Sequence, residues 1–183
     1  MGFTEKVLAQ DRVRVIGVCF GHQILGRALG AKVGRSDNGW EISVLPVELT
    51  AKGKEVFQQD SLVRHLALTS SFSSLHSAAR PTNLPLQAIH QMHKDIVFDY
   101  PPGVEKLGAS PRCLTQGMYA KARLISVQGH PEFHEGIVSR LVKMRHEQGI
   151  FEDEQARDAL SRVGDKHDGV IIAQAFLRFL LED

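Results

Sequence analysis

The stretch VRVIGVCFGHQILGRALG, residues 13–30, decides the fold of this chain. Its first part, residues 13–18, is short and rich in β-branched side chains, which predicts a buried strand. Apolar residues then recur at helical spacing over residues 21–29, and Gly30 ends the pattern. The sequence therefore predicts a strand, a sharp turn and a helix, with Cys19 on the turn.

Strand and helix patterns continue along the rest of the chain. Short strands are predicted at residues 42–49, 96–100, 113–119 and 124–128, and helices at residues 135–148, 152–163 and 169–181. Pro46 indicates an edge position for the first of these strands. The order of elements predicts a single α/β domain over residues 1–183, whose C-terminal part, residues 134–183, is helical.

Composition excludes several classes of protein. The chain has 183 residues, of which 43% are hydrophobic and 23% charged, as in an ordinary globular domain. Lys and Arg number 22 against 21 for Asp and Glu, so no net charge favours nucleic acid or an anionic membrane surface. The two cysteines lack the spacing of a disulfide framework and no secretory signal is recognisable, so we expect a reducing, cytoplasmic setting.

Cys19 has the surroundings of a nucleophile. A nucleophile on a tight turn at the start of a helix is exposed in strained geometry, and small flanking residues are needed because the backbone crowds its neighbours. Gly17 and Gly21 are expected to supply that room. The helix N-terminus favours a negative charge and so favours the thiolate form of a cysteine.

A thiolate nucleophile needs a partner histidine, and that histidine needs an orienting acid. The segment RLISVQGHPEF, residues 123–133, places His130 just after a strand-like run, with Glu132 two residues further on. His130 would accept the thiol proton and later protonate the leaving group. Glu132 would hold the imidazole in the required tautomer.

Simpler interpretations exist for the individual residues. A cysteine in an apolar run is often a small buried hydrophobe, and Cys113, which lacks the flanking glycines, is expected to be a structural thiol. The remaining histidines are scattered, and HQMH at residues 90–93 lacks a second ligand cluster, so no metal site is expected. These histidines are His22, His65, His76, His90, His93, His134, His146 and His167.

The motifs GVCFGHQ and QGHPEF, in this order and about 110 residues apart, resemble the class I glutamine amidotransferases. The segment between them, residues 91–113, is similar to stand-alone fungal and plant members. The resemblance implies a flavodoxin-like three-layer α/β sandwich with C-terminal helices. It also implies hydrolysis of glutamine or a γ-glutamyl compound through a cysteinyl thioester, without metal or organic cofactor.

By position, the resemblance makes Cys19 the nucleophile, His130 the base and Glu132 the orienting acid. The backbone N–H of Phe20 would contribute to the oxyanion hole. Gln23 matches the position that contacts the glutamine moiety of the substrate. The expected partner is a small-molecule substrate, glutamine or a γ-glutamyl compound. Any protein that accepts the released ammonia is expected to be a separate chain.

The chain departs from the family pattern at two places. The nucleophile lies near residue 1, so the first strands of the family and one oxyanion donor are expected to be lacking, which would expose a sheet edge. Residues 63–87 have no counterpart in the family pattern. This segment is rich in Ser and Ala, and we interpret it as an inserted loop or a translated intron.

Three functions remain open on the sequence alone. The first is a cysteine amidohydrolase that acts on glutamine or a γ-glutamyl compound. The second is a γ-glutamyl peptidase that acts on glutathione or its conjugates. The third is a catalytically idle remnant or interaction protein that keeps the three residues without using them.

Overall fold

The fold comes from a computed structural model, which describes residues 2–58 and 86–182. Helices and strands are interspersed in the first third of the chain, after which five successive strands are followed by three helices. In order they are α1 (Gly2–Leu8), β1 (Val15–Val18), α2 (Phe20–Ala28), β2 (Val33–Arg35), β3 (Glu41–Leu49), α3 (Ala51–Phe57), β4 (Leu86–His93), β5 (Asp95–Val97), β6 (Glu105–Ala109), β7 (Gly117–Ala120), β8 (Leu124–Val127), α4 (Glu135–Glu147), α5 (Asp153–Ser161) and α6 (Gly169–Leu180).

Six of these strands form one mixed sheet in the order β1-β8-β7-β6-β3-β4. Strands β1 and β8 are parallel, whereas the other described pairs of this sheet are antiparallel because β3–β4 and β6–β7–β8 connect back and forth. A second, two-stranded sheet pairs β2 with β5. The predicted α/β class is confirmed, and the parallel pair brings the carboxyl ends of β1 and β8 to one place.

The strand, turn and helix predicted at residues 13–30 are present, as are the three C-terminal helices. The strand predicted at residues 113–119 begins later, at Gly117. Its predicted start lies instead in a turn, because the backbone groups of Ser110 and Cys113 bond to each other. The strand predicted at residues 96–100 is short and belongs to the small sheet.

Five elements were not predicted: α1, α3, β2, β4 and β6. The longest is β4, which pairs with β3 over eight positions. The sequence pattern did not indicate this strand, because His90, Gln91 and His93 are polar although they are buried. The predicted insertion at residues 63–87 lies outside the described residues, except for residues 86 and 87, which begin β4.

Pro46 lies opposite Ala88 of β4. On its other side, β3 pairs with β6 only at Glu48 and Leu49. The predicted edge position is wrong for β3 as a whole, which lies between β6 and β4. At Pro46 itself, however, the described part of the chain has a paired strand on one side only, which suits a residue that cannot donate a backbone hydrogen bond.

Two of the three apolar clusters among the described residues hold the C-terminal helices on the sheet. Helix α6 packs Ile172, Ala175 and Phe179 against the main sheet. Helices α4 and α5 form a second cluster with β3 and β4. None of the described helices combines the length and apolar character needed to cross a membrane.

Candidate active site

Cys19 lies on the connection between β1 and α2, where it is the residue before the first helical turn. Its backbone has φ 49° and ψ −100°, a positive-φ conformation that residues other than glycine seldom adopt. The Cys19 N–H donates to the carbonyl of Val127 on β8, 3.0 Å away. The thiol is thus held at a strained elbow between strand and helix.

Gly17 and Gly21 were both expected to relieve crowding, but only Gly17 does so. A Cβ on Gly17 would lie 2.6 Å from Cδ1 of Leu25 and 3.0 Å from the backbone nitrogen of His22. A Cβ on Gly21 would meet no atom within 4 Å, because this position faces open space. The expectation for Gly21 was therefore wrong, whereas Gly17 lets β1 approach α2 closely.

His130 follows β8 and lies beside Glu132. Its Nδ1 is 2.7 Å from Oε1 of Glu132, and the ring of Phe133 stacks on it with centroids 3.9 Å apart. The backbone N–H of His130 donates to the carbonyl of His90 on β4, at 2.8 Å. The strand, the carboxylate and the aromatic ring together fix the orientation of the imidazole.

The parallel pairing of β1 and β8 brings the thiol and the imidazole together. Val18 is in register with Val127, so the residues that follow both strands leave the sheet at the same edge. There the Cys19 thiol lies close enough to the imidazole of His130 to affect its protonation. Since Nδ1 of His130 contacts Glu132, Nε2 is the nitrogen left to face the thiol.

The electrostatics favour a protonated imidazole. Burial lowers the pKa of His130, but hydrogen bonds to Cys19 and Glu132 more than offset this, so that the pKa rises from 6.5 to about 9. Partial burial raises the pKa of Glu132, yet the bond to His130 outweighs it and the net change is downward. The pair therefore carries opposite charges at neutral pH.

Phe20 and Gln23 lie next to the thiol on α2. Phe20 is the first residue of the helix, so its N–H has no carbonyl partner within the helix. The Gln23 amide nitrogen donates to the carbonyl of Asp95 at 2.8 Å and to Oε1 of Gln128 at 3.3 Å. A cleft of about 450 Å³ borders both residues and Asp95.

Sequence analysis missed Gln128. Its Nε2 lies 3.7 Å from the sulfur of Cys19, and its Oε1 accepts from Gln23. The signal was present, since Gln128 directly follows β8 and the carboxyl ends of neighbouring parallel strands meet at one edge. Gln128 thus connects the thiol to the expected substrate contact.

A buried polar network supports the strands behind the site. Glu41 accepts from the hydroxyl of Ser110 at 2.6 Å and from the amide of Gln116 at 2.8 Å. Gln116 in turn accepts from Gln91, and Glu41 lies 3.1 Å from the ring of His93. These interactions explain how polar side chains lie inside β3 and β4.

Cys113 differs from Cys19 in its burial and its surroundings. Its side chain is buried, and burial together with the charge of Glu41 raises the pKa of the Cys113 thiol to about 12. Both cysteines are free thiols. Within residues 2–58 and 86–182, no three His, Cys, Asp or Glu side chains are grouped so that they could hold a metal ion.

The chain is an α/β domain that carries a cysteine, a histidine and a carboxylate where two parallel strands end, as in enzymes that use a cysteine nucleophile. The model of the family "Glutamine amidotransferase class-I" matches residues 3–145. The chain therefore belongs to the class I glutamine amidotransferase family.

Individual relatives agree with this assignment. A glutamine amidotransferase-like protein of Schizosaccharomyces pombe is 30% identical over the whole chain, which covers 64% of that relative. Gamma-glutamyl peptidase 2 of Arabidopsis thaliana is 27% identical over 86% of the chain, which covers 56% of it. The chain thus spans less than two thirds of these relatives.

The fold is shared with solved structures. The crystal structure of a glutamine amidotransferase from Thermotoga maritima superimposes with a TM-score of 0.69 at 20% identity. The superposition covers 98% of this chain and 67% of that one. The fold class implied by the two motifs is therefore confirmed.

Proposed function

We propose that this chain is a cysteine-dependent amidohydrolase that releases glutamate from glutamine or a γ-glutamyl compound. The observation that carries the proposal is that Cys19 and the His130–Glu132 pair meet where the parallel strands β1 and β8 end, with Nδ1 of His130 2.7 Å from Glu132. Nucleophile, base and orienting acid in this order are the requirements of acyl transfer. A cleft borders Phe20 and Gln23, two residues of α2 that follow the thiol and are expected to contact the substrate.

In the first half-reaction the sulfur of Cys19 attacks the γ-carbonyl carbon, and the thiol proton resides on His130. The carbonyl oxygen becomes negatively charged, and the N–H of Phe20 is placed to stabilise it. The carbon–nitrogen bond then breaks as His130 gives its proton to the nitrogen. Ammonia or an amine leaves, and a γ-glutamyl thioester remains on Cys19.

In the second half-reaction a water molecule attacks the thioester. His130, now neutral, accepts a proton from that water, and the carbon–sulfur bond breaks. Glutamate leaves and the thiol is restored, so one amide and one water give one acid and one amine. Because this cycle requires a free thiol at Cys19, we place the activity in the reducing cytoplasm.

A γ-glutamyl peptidase is the second candidate within the same chemistry. Four Arabidopsis thaliana proteins similar to this chain are gamma-glutamyl peptidases. The leaving group is then an amino acid or peptide amine in place of ammonia, and every step at Cys19 is unchanged.

The test is glutamate release by the purified chain from glutamine, glutathione and γ-glutamyl-p-nitroanilide. Cys19→Ala should abolish release, whereas the matched variant Cys113→Ala should retain it, because Cys113 is a buried structural thiol. Release in the wild type that persists in Cys19→Ala would contradict the proposed nucleophile. A folded wild type that releases nothing would favour the catalytically idle alternative.

A further inference from the structure

The side chain of Gln128 reaches the sulfur of Cys19 from the same stretch of chain that holds the Cys19 backbone. The N–H of Cys19 donates to the carbonyl of Val127, and Nε2 of the next residue, Gln128, donates to Sγ of Cys19 at 3.7 Å. Sulfur is larger than oxygen and a weaker acceptor, so its hydrogen bonds are longer. Gln128 is 0% exposed, and its backbone N–H donates to the carbonyl of Gln116 at 2.9 Å, so the side chain starts from a fixed point.

A backbone carbonyl decides which end of the Gln128 amide faces the sulfur. The carbonyl oxygen of Asp95 can only accept, so the atom of Gln23 that lies 2.8 Å from it must be the amide nitrogen. That nitrogen lies 3.3 Å from the amide of Gln128, so the atom of Gln128 that it meets must be the oxygen. The nitrogen of Gln128 is therefore the end that points to the sulfur. Through Gln23, the Asp95 carbonyl holds a donor against the thiol.

A fixed donor at the sulfur affects the charge that the sulfur carries in the reaction. When the thiol proton moves to His130, Cys19 becomes a thiolate, and a hydrogen bond to a charged group is stronger than one to a neutral group. The N–H of Gln128 therefore stabilises the thiolate more than the thiol. An amide does not titrate, so this stabilisation is present at every pH at which the protein is folded.

We propose that Gln128 is a catalytic residue, whose amide N–H stabilises the thiolate of Cys19 and is oriented by Gln23 and the Asp95 carbonyl. The inference rests on the proposed function, because it gives Gln128 a part in forming the nucleophile of that reaction. It also connects substrate binding to the nucleophile, since Gln23 is the residue expected to contact the substrate.

The test measures thiolate formation, which does not depend on turnover. The ultraviolet absorbance of the thiolate is followed against pH, and the same protein with Cys19→Ser is the blank that removes the signal of Cys113 and the tyrosines. Gln128→Met keeps the length of the side chain and removes the donor. In this variant the pH at which half of Cys19 is ionised should rise by about one unit, about a tenfold loss of thiolate at a given pH, as for a hydrogen bond to a charged group.

The charged groups around the thiol stay the same in this variant. They are His130, Glu132 and Arg145. The matched control is Gln91→Met, because Gln91 is also 0% exposed and its amide bonds to Gln116. The control should leave the titration of Cys19 where it is in the wild type. An unchanged titration in Gln128→Met, or an equal shift in the control, would overturn the proposal.

A second variant keeps the shape of the side chain. Gln128→Glu can still accept from Gln23, but it places an anionic oxygen at the sulfur in place of the N–H. The titration of Cys19 should then move to higher pH by more than in Gln128→Met. A titration that stays or moves to lower pH would overturn the proposal. Circular dichroism of each variant separates a change at the thiol from loss of fold.

The proposed hydrolysis fails separately. A shifted thiolate titration in a protein that releases no glutamate would keep the role of Gln128 and refute the hydrolysis. Glutamate release by the wild type with no shift in either Gln128 variant would do the reverse. With both intact, Gln128→Met should lower kcat for glutamate release about tenfold at neutral pH, because less of Cys19 is thiolate.

Discussion

Two fully buried histidines should make this protein unfold in mild acid. His22 and His90 are both 0% exposed. Burial lowers the pKa of His22 from 6.5 to about 3 and that of His90 from 6.5 to about 4. Below pH 6.5 the unfolded chain therefore binds a proton at each of these histidines, whereas the folded chain does not. The free energy of unfolding consequently decreases as the pH is lowered.

The magnitude follows from linkage at about 1.4 kcal/mol per pH unit for each histidine. Between pH 6.5 and pH 4 His90 alone costs about 3 kcal/mol, and His22 costs at least as much. A typical domain has only about 5–15 kcal/mol of net stability. We therefore expect cooperative unfolding before pH 4.

His130 affects the pH dependence of stability in the opposite direction. Its pKa is raised to about 9 in the folded protein, so the stability it contributes is fully present below pH 6.5 and is lost as the pH rises through 9. Stability should thus be highest near pH 6.5. The acid side of the maximum belongs to His22 and His90, and the alkaline side to the active site.

The assay is urea unfolding, followed by circular dichroism at pH 7, 6 and 5, of the wild type and His90→Phe. Both ring nitrogens of His90 lack a partner among the described residues, and its ring packs 4.6 Å from His167, so phenylalanine replaces it without breaking a described hydrogen bond. Between pH 6 and pH 5 the wild type should lose about 1.4 kcal/mol more than the variant. Parallel pH dependences would refute the reasoning, whatever the absolute stabilities.

Three further predictions concern the active site. Glu132→Gln should lower kcat/KM about 100-fold or more if His130 acts as the proposed base. It should also move the alkaline limb of the pH profile to lower pH, because one of the groups that raise the pKa of His130 is lost. An unmoved limb would contradict this. Gly17→Ala should lower the melting temperature by several degrees, since overpacking against Leu25 costs about 1–3 kcal/mol. An unchanged melting temperature in a thermal scan would argue against the close approach of β1 to α2. Iodoacetamide at neutral pH should alkylate Cys19 and spare Cys113, whose thiol is buried with its pKa raised to about 12, and peptide mass mapping that finds both modified would contradict the burial.

The parts of the fold and site that were predictable depend on neighbours in sequence. The Cys19 turn follows from residues 13–30 alone, and Glu132 lies two residues from the histidine it orients. The pairing of Cys19 with His130 required one further step, the parallel alignment of β1 and β8. That step was supplied by resemblance, because no local pattern specifies which strands become neighbours.

The parts that were not predictable depend on burial that local patterns do not show. Strand β4 carries polar residues that lie inside the sheet because Glu41 and Gln116 supply hydrogen bonds from distant positions. Arg145 lies in a stretch of the sequence that predicts a helix and nothing more specific. Only the folded chain places it on Trp40, which precedes it by about 100 residues and has no sequence relation to it.

The last C-terminal helix is connected to the candidate site through hydrogen bonds to strand β4. The C-terminal helices extend the core, since their apolar residues belong to the two clusters packed on the sheet. Asp168, just before α6, accepts from the N–H of Ala88 on β4 and donates its own N–H to the carbonyl of Ala88, each at 2.7 Å. Two residues further along β4, the carbonyl of His90 holds the N–H of His130. The start of α6 therefore anchors the strand that orients the imidazole of His130, so loosening this helix should displace His130 before it unfolds the sheet.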